Sequence, residues 1–327
     1  MKKFVFILTV LMLMFVTACS SGSGAEGGKE FPTKNMEMVA PATPGGGWDT
    51  TARSMKKVLS EKELIKKPIS VVNKPGGNGE VGWKYLKTKD GHTTSINSSL
   101  VITNNLLGHS ELTYKEFTPL AILTTEWIAL AVPADSKFDS AKELFNQLKK
   151  KPKSAKVAVA PGLGNDAHLS FVQASLESGV DVSKIEFMIY GSGGDQISAL
   201  VGGHVDAAVM SVSEVAQQHK AGKAKILAVT SEKRLDSLKD VPTYKEQGID
   251  MVFPHWRGIM GPPDMSEEAI AYWDKKLSKM VKTDEWKKVL ENNQWESFYK
   301  NSEETKKYLK EEVKKYSELL KSAGLTE

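Results

Sequence analysis

Short apolar runs alternate with helix-length amphipathic segments along most of the chain. The runs are rich in β-branched residues and are bounded by glycine, proline or polar turn residues, which is typical of strands. They cover residues 36–40, 69–73, 93–97, 120–124, 127–132, 156–160, 185–190, 205–210 and 225–229. Between them, segments such as 50–63, 140–149 and 167–178 repeat apolar residues at helical spacing. This alternation predicts βαβ units and mostly parallel sheets.

The end of the chain follows a different pattern. A return strand is predicted at residues 250–260, and three lysine-rich amphipathic helices are predicted after it at 267–282, 285–292 and 303–322. Two α/β series followed by a return segment indicate two lobes joined by crossing strands.

The crossings are expected near residues 132–133 and 253–258. Lobe 1 would then hold residues 31–132 plus 256–327, and lobe 2 would hold residues 133–255. Ligands of such α/β lobes bind beyond the carboxyl ends of the strands. The strand-to-helix loops should therefore line a cleft between the lobes.

The first residues have the layout of an export signal. Lys2 and Lys3 precede an apolar run from Phe4 to Val16, and serines and glycines follow at once. The run is short for a membrane span. Residues 1–18 are therefore predicted to be a signal peptide.

Cys19 follows small residues at the end of this run, which resembles a bacterial lipobox. The resemblance implies that a diacylglyceryl lipid is attached to its sulfur, with palmitate as an acyl chain, and that cleavage occurs before Cys19. The alternative is an ordinary secretory signal with an incidental cysteine. Residues 19–30 have the composition of a flexible tether. We expect an extracytoplasmic protein that the lipid on Cys19 anchors to the cell membrane.

Composition narrows the function further. The chain has 327 residues, 40% of them hydrophobic, and subtracting the signal lysines from a formal net charge of +4 leaves +2. A net charge this close to zero does not indicate a nucleic-acid-binding surface. The single cysteine excludes a disulfide framework and a cysteine-based zinc site. The six histidines have no metal-ligand spacing, and no G-x-S-x-G motif is present, so we expect no metal, no cofactor and no catalytic set.

Glycine-rich loops are the main candidates for ligand binding. The first places Gly45, Gly46, Gly47, Trp48 and Asp49 between a strand and a helix. Glycine lets a ligand approach the backbone closely, and free N–H groups at a helix start favour a carboxylate or phosphate. The lysine of a nucleotide-binding loop is missing. The alternative is a tight turn with Asp49 as the helix N-cap.

Three loops of the second series occupy the same topological position. They offer backbone N–H groups or hydroxyls near helix starts, and their candidate residues are Gly164, Asn165, Asp166, Tyr190, Gly191, Ser192 and Ser211. Trp256 and Arg257 lie at the second crossing. The sequence leaves two roles open for each residue. Trp256 either binds the ligand or packs in the hinge, and Arg257 either binds a carboxylate or forms an ion pair.

These motifs support a family resemblance. The string from Ala40 to Arg53 closely resembles the first ligand loop of substrate-binding proteins of the tripartite tricarboxylate transporters, the TctC or Bug family. The likeness continues at residues 71–79, 89–93, 190–194, 202–206, 227–231, 240–243 and 256–258. It implies a two-lobed periplasmic-binding-protein-like (Venus flytrap) fold and extends the candidate site to Ser98 and Ser99. It also implies a receptor that presents organic acids to a membrane transporter of two subunits.

The expected function is therefore that of a monomeric lipoprotein that captures a di- or tricarboxylate and delivers it to such a transporter. Trp48 and Arg257 resemble the branch associated with tricarboxylates, which suggests a citrate-like ligand. The alternatives are a receptor for an amino acid or an aromatic acid, an exported enzyme on the same scaffold, and a sensor subunit.

Overall fold

The computed structural model of the protein describes residues 31–326. By internal contacts the chain divides into residues 1–33 and 34–327, and the elements below belong to the second unit. The predicted signal peptide 1–18, Cys19 and the predicted tether 19–30 lie outside the described residues. Within the described part, no helix is long and apolar enough to cross a membrane.

The described residues form ten strands. These are β1 (Met36–Ala40), β2 (Ile69–Asn73), β3 (Thr93–Asn97), β4 (Thr118–Pro133), β5 (Lys156–Val159), β6 (Glu186–Ile189), β7 (Ala207–Ser211), β8 (Ala224–Val229), β9 (Pro254–Gly261) and β10 (Glu296–Lys300). The first three strands have the predicted bounds. The sequence pattern missed β10, a short strand between two lysine-rich helices.

Ten α-helices accompany the strands in the described residues. These are α1 (Gly47–Glu61), α2 (Glu80–Lys87), α3 (Leu100–Leu106), α4 (Ala141–Lys150), α5 (Asp166–Glu177), α6 (Gly193–Val201), α7 (Val212–Lys220), α8 (Glu267–Met280), α9 (Asp284–Asn293) and α10 (Ser302–Ser322). Helix α4 shows how the sequence specifies them. Ser140 accepts a hydrogen bond from the Glu143 amide at its start, and Leu144, Phe145 and Leu148 are buried on one face.

The strands follow the order β2-β1-β3-β9-β4-β7-β5-β6, and β8 and β10 also pair with β4. Strand β1 lies parallel between β2 and β3, and β5 lies parallel between β6 and β7. Strand β9 is antiparallel to β3 and β4, and β4 is antiparallel to β7 and β8. This is the predicted α/β fold, with two mostly parallel sets joined by crossing strands.

Strand β4 links the two sets. Its residues up to Trp127 pair with β9 and β10, and its residues from Ile128 pair with β7 and β8. The prediction of separate strands at 120–124 and 127–132 is wrong, because the polar residues between them are buried within one continuous strand. The lobe boundaries, 31–132 plus 256–327 for lobe 1 and 133–255 for lobe 2, remain a prediction.

Candidate ligand cleft

A cavity of about 420 Å³ opens at the carboxyl ends of the parallel strands. Its walls come from the loops after β1, β2, β3, β5 and β6 and from the end of β7, and β9 contributes His255 and Arg257. A volume of this size suits a small organic molecule. The cavity is where the strand-to-helix loops were expected to meet.

The loop after β1 presents the start of α1 to the cavity. Gly46 is the N-cap of α1 and supplies no side-chain hydrogen bond to it. The first N–H groups of an α-helix have no acceptor within the helix. Gly46, Gly47 and Trp48 line the cavity, so this helix start is open toward a ligand.

The Asp49 carboxylate forms hydrogen bonds that stabilise the loop before α1. Its carboxylate accepts hydrogen bonds from the Gly45 amide at 2.9 Å, from Arg53 Nε at 2.8 Å and from Asn73 Nδ2 at 2.8 Å. Burial alone would raise the pKa of Asp49, but the hydrogen bonds from Arg53 and Gly45 hold it below its usual value. Asp49 therefore fixes the loop from behind and is not the N-cap.

The other long helices do not leave their first turn open. Among described helices of ten residues or more, α1 is the one without a side-chain N-cap. The caps of the others are Ser140, Asn165, Ser266, Thr283 and Asn301. Glycine at the N-cap costs a helix roughly a few tenths of a kcal/mol relative to a side-chain cap, so the fold tolerates it. The start of α1 therefore presents uncapped backbone N–H groups to the cavity, and such a helix start favours an anion.

A second glycine loop, after β2, was not among the predicted site residues. Gly76, Gly77, Asn78 and Gly79 have φ angles of 125°, 56°, 53° and 100°, and all four line the cavity. A Cβ on Gly79 would lie 2.8 Å from the Trp83 ring, so glycine is required there by both backbone and space. The sequence did contain a signal for this loop, because three glycines occur within six residues of the end of the predicted strand at 69–73.

Across the cavity, the loops after β5 and β6 use their polar side chains as caps. Asn165 accepts from the His168 amide at 2.8 Å, and Ser192 accepts from the Asp195 amide at 3.2 Å. His168 Nδ1 accepts from the Gly164 amide at 3.0 Å. Burial lowers the pKa of His168 to about 4, so this side chain is a neutral structural group.

The floor of the cavity is built around Glu126 of β4, whose side chain is buried. Its carboxylate accepts from Arg257 Nη2, from Ser211 Oγ at 2.5 Å, from Ser213 Oγ at 3.1 Å and from Trp295 Nε1 at 2.9 Å. Burial alone would raise the pKa of Glu126, but the charges of Arg257 and His255 hold it below its usual value.

His255 extends this network to the opposite wall. Its Nδ1 lies 2.6 Å from Asp166 Oδ2, and its Nε2 lies 3.1 Å from Arg257 Nη2. Tyr316 of α10 donates to Asp166 Oδ1 at 3.3 Å and accepts from Trp256 Nε1 at 3.0 Å. A chain of polar contacts therefore joins β4, β9, α5 and α10 beneath the cavity.

The structure brings part of the predicted site together. The predicted residues that line the cavity are Gly46, Gly47, Trp48, Ser98, Asn165, Gly191, Ser192, Ser211 and Arg257. Those outside the lining are Gly45, Asp49, Ser99, Gly164, Asp166, Tyr190 and Trp256. Trp256 is fully buried in the core, and Arg257 forms the ion pair that was its alternative.

Glu214 and His255 also line the cavity and were not predicted. Neither carries a motif, and both become recognisable only once β9 and α7 are placed beside the glycine loops. Within residues 31–326, no group of three or more His, Cys, Asp or Glu residues is arranged to hold a metal ion.

Comparison with known proteins gives a family match. The model of the tripartite tricarboxylate transporter family receptor matches residues 51–325. A UPF0065 protein of Pseudomonas sp. (strain P51) from the tcbD-tcbE intergenic region is 27% identical over 83% of this chain and 81% of its own length. A TctC solute-binding protein from Polaromonas, solved without ligand, has 25% identity and a TM-score of 0.70 over 89% of this chain and 99% of its own.

Two further solved structures share the fold. MatC from Rhodopseudomonas palustris, solved with malate, has a TM-score of 0.78 at 21% identity and covers 89% of this chain and 100% of its own. A second R. palustris protein, solved with adipate, has a TM-score of 0.81 at 22% identity and covers 91% of this chain and 99% of its own.

Proposed function

Because the chain belongs to the tripartite tricarboxylate transporter family of receptors, we propose that it captures an organic carboxylate in the cleft and delivers it to a membrane transporter. The transporter would have two subunits, as the family resemblance implies. Lipid attachment at Cys19 would keep the receptor at the cell membrane. No step of this function requires catalysis by the receptor.

The open start of α1 carries the proposal. A carboxylate there would accept hydrogen bonds from backbone N–H groups and would lie at the positive end of the helix dipole. The Arg257 guanidinium lies directly beneath, so close that a Cβ on Gly47 would be 2.6 Å from its Nη2. The cleft thus combines two features that favour one carboxylate at one place.

The citrate-like ligand remains a prediction. The related structures solved with malate and adipate favour small dicarboxylates in this fold. Arg257 is the one Lys or Arg side chain among the residues that line the cavity, and Glu126 already partners it. A second and third carboxylate would therefore need donors other than free cations.

Capture would proceed by closure of the two proposed lobes. The lining residues come from loops of both strand sets, so a ligand between them contacts both sets only when the cleft is closed. Such a ligand stabilises the closed form by its differential affinity for that form. The polar network beneath the cavity would lie at the hinge.

A thermal-shift screen tests this function. The purified protein would be heated with mono-, di- and tricarboxylates, amino acids and aromatic acids, and with neutral amides of the same acids as controls. A ligand at 100 times its Kd adds about 2.7 kcal/mol to stability, which raises the melting temperature by several degrees. We expect acids, but not their amides, to raise it. No shift with any acid would reject the proposal, and turnover of a bound acid would indicate an enzyme.

A further inference from the structure

The cleft that is proposed to bind an anion contains a carboxylate of its own, that of Glu214. This residue lies in the first turn of α7, lines the cavity and is exposed to it. Its carboxylate packs against the start of α6, so closely that a Cβ on Gly193 would overlap its oxygens. Glu214 is therefore crowded by protein atoms on one side and open to the ligand space on the other.

The proton affinity of Glu214 depends on charged groups from several strands. Glu126 faces it from β4, and Arg257 and His255 face it from β9. The backbone of Ser211 faces it from the end of β7. Burial, followed by the charge of Glu126, raises the pKa of Glu214, whereas the charges of Arg257 and His255 lower it. A bound anion would change this balance.

Both bases are already paired with other carboxylates. Arg257 pairs with Glu126, and His255 Nδ1 lies 2.6 Å from Asp166 Oδ2. Neither base forms an ion pair with Glu214 in the part of the chain that the structure describes. The floor and wall thus place three carboxylates, those of Glu126, Asp166 and Glu214, around one guanidinium and one imidazole. Glu214 is the carboxylate of the three without a cationic partner of its own among the described residues.

A ligand carboxylate would enter the same group of charges. Arg257 Nε and Nη1 are buried without a hydrogen-bond partner in the described structure, so they favour a carboxylate beside the start of α1. That carboxylate would offset the attraction of Arg257 for Glu214 and would repel Glu214 directly. It would also displace cavity water that solvates Glu214, and loss of water disfavours a charged carboxylate. Each effect favours a proton on Glu214.

We propose that Glu214 takes up a proton when the receptor captures a carboxylate, so that capture is linked to the pH of the medium. The proposal rests on the proposed function, because it requires an anion in the cleft. The proton comes from water or buffer and binds to a carboxylate oxygen of Glu214, and no other covalent bond forms or breaks. The neutral acid no longer repels the ligand, and its O–H can donate to a ligand oxygen. Release of the ligand returns the proton to the medium.

Calorimetry in buffers with different heats of ionisation measures this proton uptake. At one pH, the observed binding enthalpy changes linearly with the heat of ionisation of the buffer, and the slope is the number of protons taken up. The probe is the tightest-binding member of a panel of acetate, benzoate, succinate, glutarate and adipate. These acids are fully ionised in solution at neutral and mildly alkaline pH, so uptake in this range accompanies binding.

Two substitutions assign the proton to a residue. Glu214→Gln resembles the neutral acid in shape but cannot titrate. Glu311→Gln, on the exposed face of α10, makes the same charge change away from the cavity lining and is the control. Melting temperatures without ligand show whether both variants are folded.

We expect wild type and Glu311→Gln to take up part of a proton at neutral pH and to lose affinity on the order of tenfold toward mildly alkaline pH. The sign follows from linkage. Because the ligand raises the pKa of Glu214, binding strengthens as the pH falls, until Glu214 is already protonated in the free receptor. Glu214→Gln should take up no proton, show no pH dependence over this range and bind the probe more tightly than wild type at the alkaline end.

Three results would overturn the assignment and leave the carboxylate receptor standing. The first is a wild-type binding enthalpy that is the same in all buffers, with an affinity independent of pH. The second is uptake that persists in Glu214→Gln, since the proton would then bind to another group such as His255 or the ligand. The third is weaker binding by Glu214→Gln at every pH, which would indicate that the ionised carboxylate contributes to binding. If no member of the panel binds at any pH, the assignment and the proposed function fail together.

Discussion

Glu126 and Arg257 are the residues on which the cleft floor depends. Both side chains are nearly inaccessible to solvent, and they join the two crossing strands β4 and β9. Breaking a buried ion pair by removing one partner costs about 3–5 kcal/mol, because the other charge stays buried without compensation. The pair is therefore expected to hold the hinge as well as to shape the ligand site.

Replacing Arg257 with lysine tests this role. Lysine keeps the charge but lacks the planar guanidinium, so Arg257→Lys should lower stability by roughly 1–3 kcal/mol in the absence of ligand. It should weaken mono-, di- and tricarboxylates by the same factor, because Arg257 serves one carboxylate at most. Arg234→Lys is the control, since Arg234 pairs with Glu246 at the surface and such pairs contribute little. A loss that grows with the number of carboxylates would contradict this account.

His168 gives a prediction for the pH dependence of stability. Its pKa is lowered from 6.5 to about 4 by burial, so the unfolded chain binds a proton that the folded protein does not bind between these values. Stability should therefore fall by about 3 kcal/mol as the pH decreases from 6.5 to 4. In urea unfolding, His168→Gln should remove this contribution, and the exposed His204→Gln should not. An unchanged slope in His168→Gln would show that other groups cause it.

At the residue scale, the sequence identified hydrogen-bond donors of the cleft floor but not the carboxylate that accepts from them. Arg257 and Ser211 were both candidates, but the carboxylate that holds them, Glu126, was not. Glu126 follows two threonines in what looks like the polar end of a strand. Its burial depends on partners between 85 and 169 residues away along the chain, which no local pattern contains.

At the scale of elements, the start of α1 differs from that of the other long helices. Its N-cap, Gly46, has φ −72° and ψ 166°, which any residue adopts, and a Cβ there would have 3.5 Å to its nearest neighbour. A side chain at this position would fit the fold and reach toward the cleft. Glycine here therefore serves access to the backbone rather than the turn itself.

Gly46→Val should weaken carboxylate binding at least tenfold with a stability change below about 1 kcal/mol, because the side chain shields the open N–H groups. Ser140→Ala at the start of α4 is the matched control. It removes a side-chain cap outside the cleft, so it should cost about 1 kcal/mol of stability and leave affinity unchanged. Calorimetry and urea unfolding measure the two effects. Unchanged affinity in Gly46→Val would remove this loop from the site.

Most helices and strands could be predicted because apolar residues recur at helix or strand spacing and glycine-containing turns separate these segments. The errors occurred where tertiary contacts override the pattern. Strand β4 continues through buried polar residues, and β10 forms by pairing with β4 although its own sequence alternates poorly. The loop at Gly76–Gly79 follows the strand predicted at residues 69–73, but its part in the cavity depends on the neighbouring order of β2, β1 and β3.

At the scale of the whole molecule, the two-lobed class followed from the count and order of elements. Two α/β series and a return segment leave few ways to join parallel sheets with right-handed crossovers. The sequence could not show that β4 pairs with β9 in its first part and with β7 and β8 in its second part. The register of these pairs depends on residues of β7, β8 and β9 that lie far away in the chain.

The membrane anchor is a prediction at the same scale. Cys19→Ser should abolish incorporation of radiolabelled palmitate and leave the protein unprocessed or released from the membrane fraction. Ser20→Ala, a neighbouring change that keeps the thiol, is the control. The lipobox hypothesis is wrong if palmitate still enters the Cys19→Ser protein.

The central claim is that a ligand carboxylate binds at the open start of α1. Amide chemical shifts of ¹⁵N-labelled protein, recorded during titration with an acid from the thermal-shift screen, test it most directly. We predict that the largest shifts occur at the amides of Gly47 and Trp48 and that Gly46→Val suppresses them. The basic surface cavity at Lys151, Lys153 and Lys184 is the competing place for an anion. Saturable shifts centred there, with Gly47 and Trp48 unchanged, would contradict the claim.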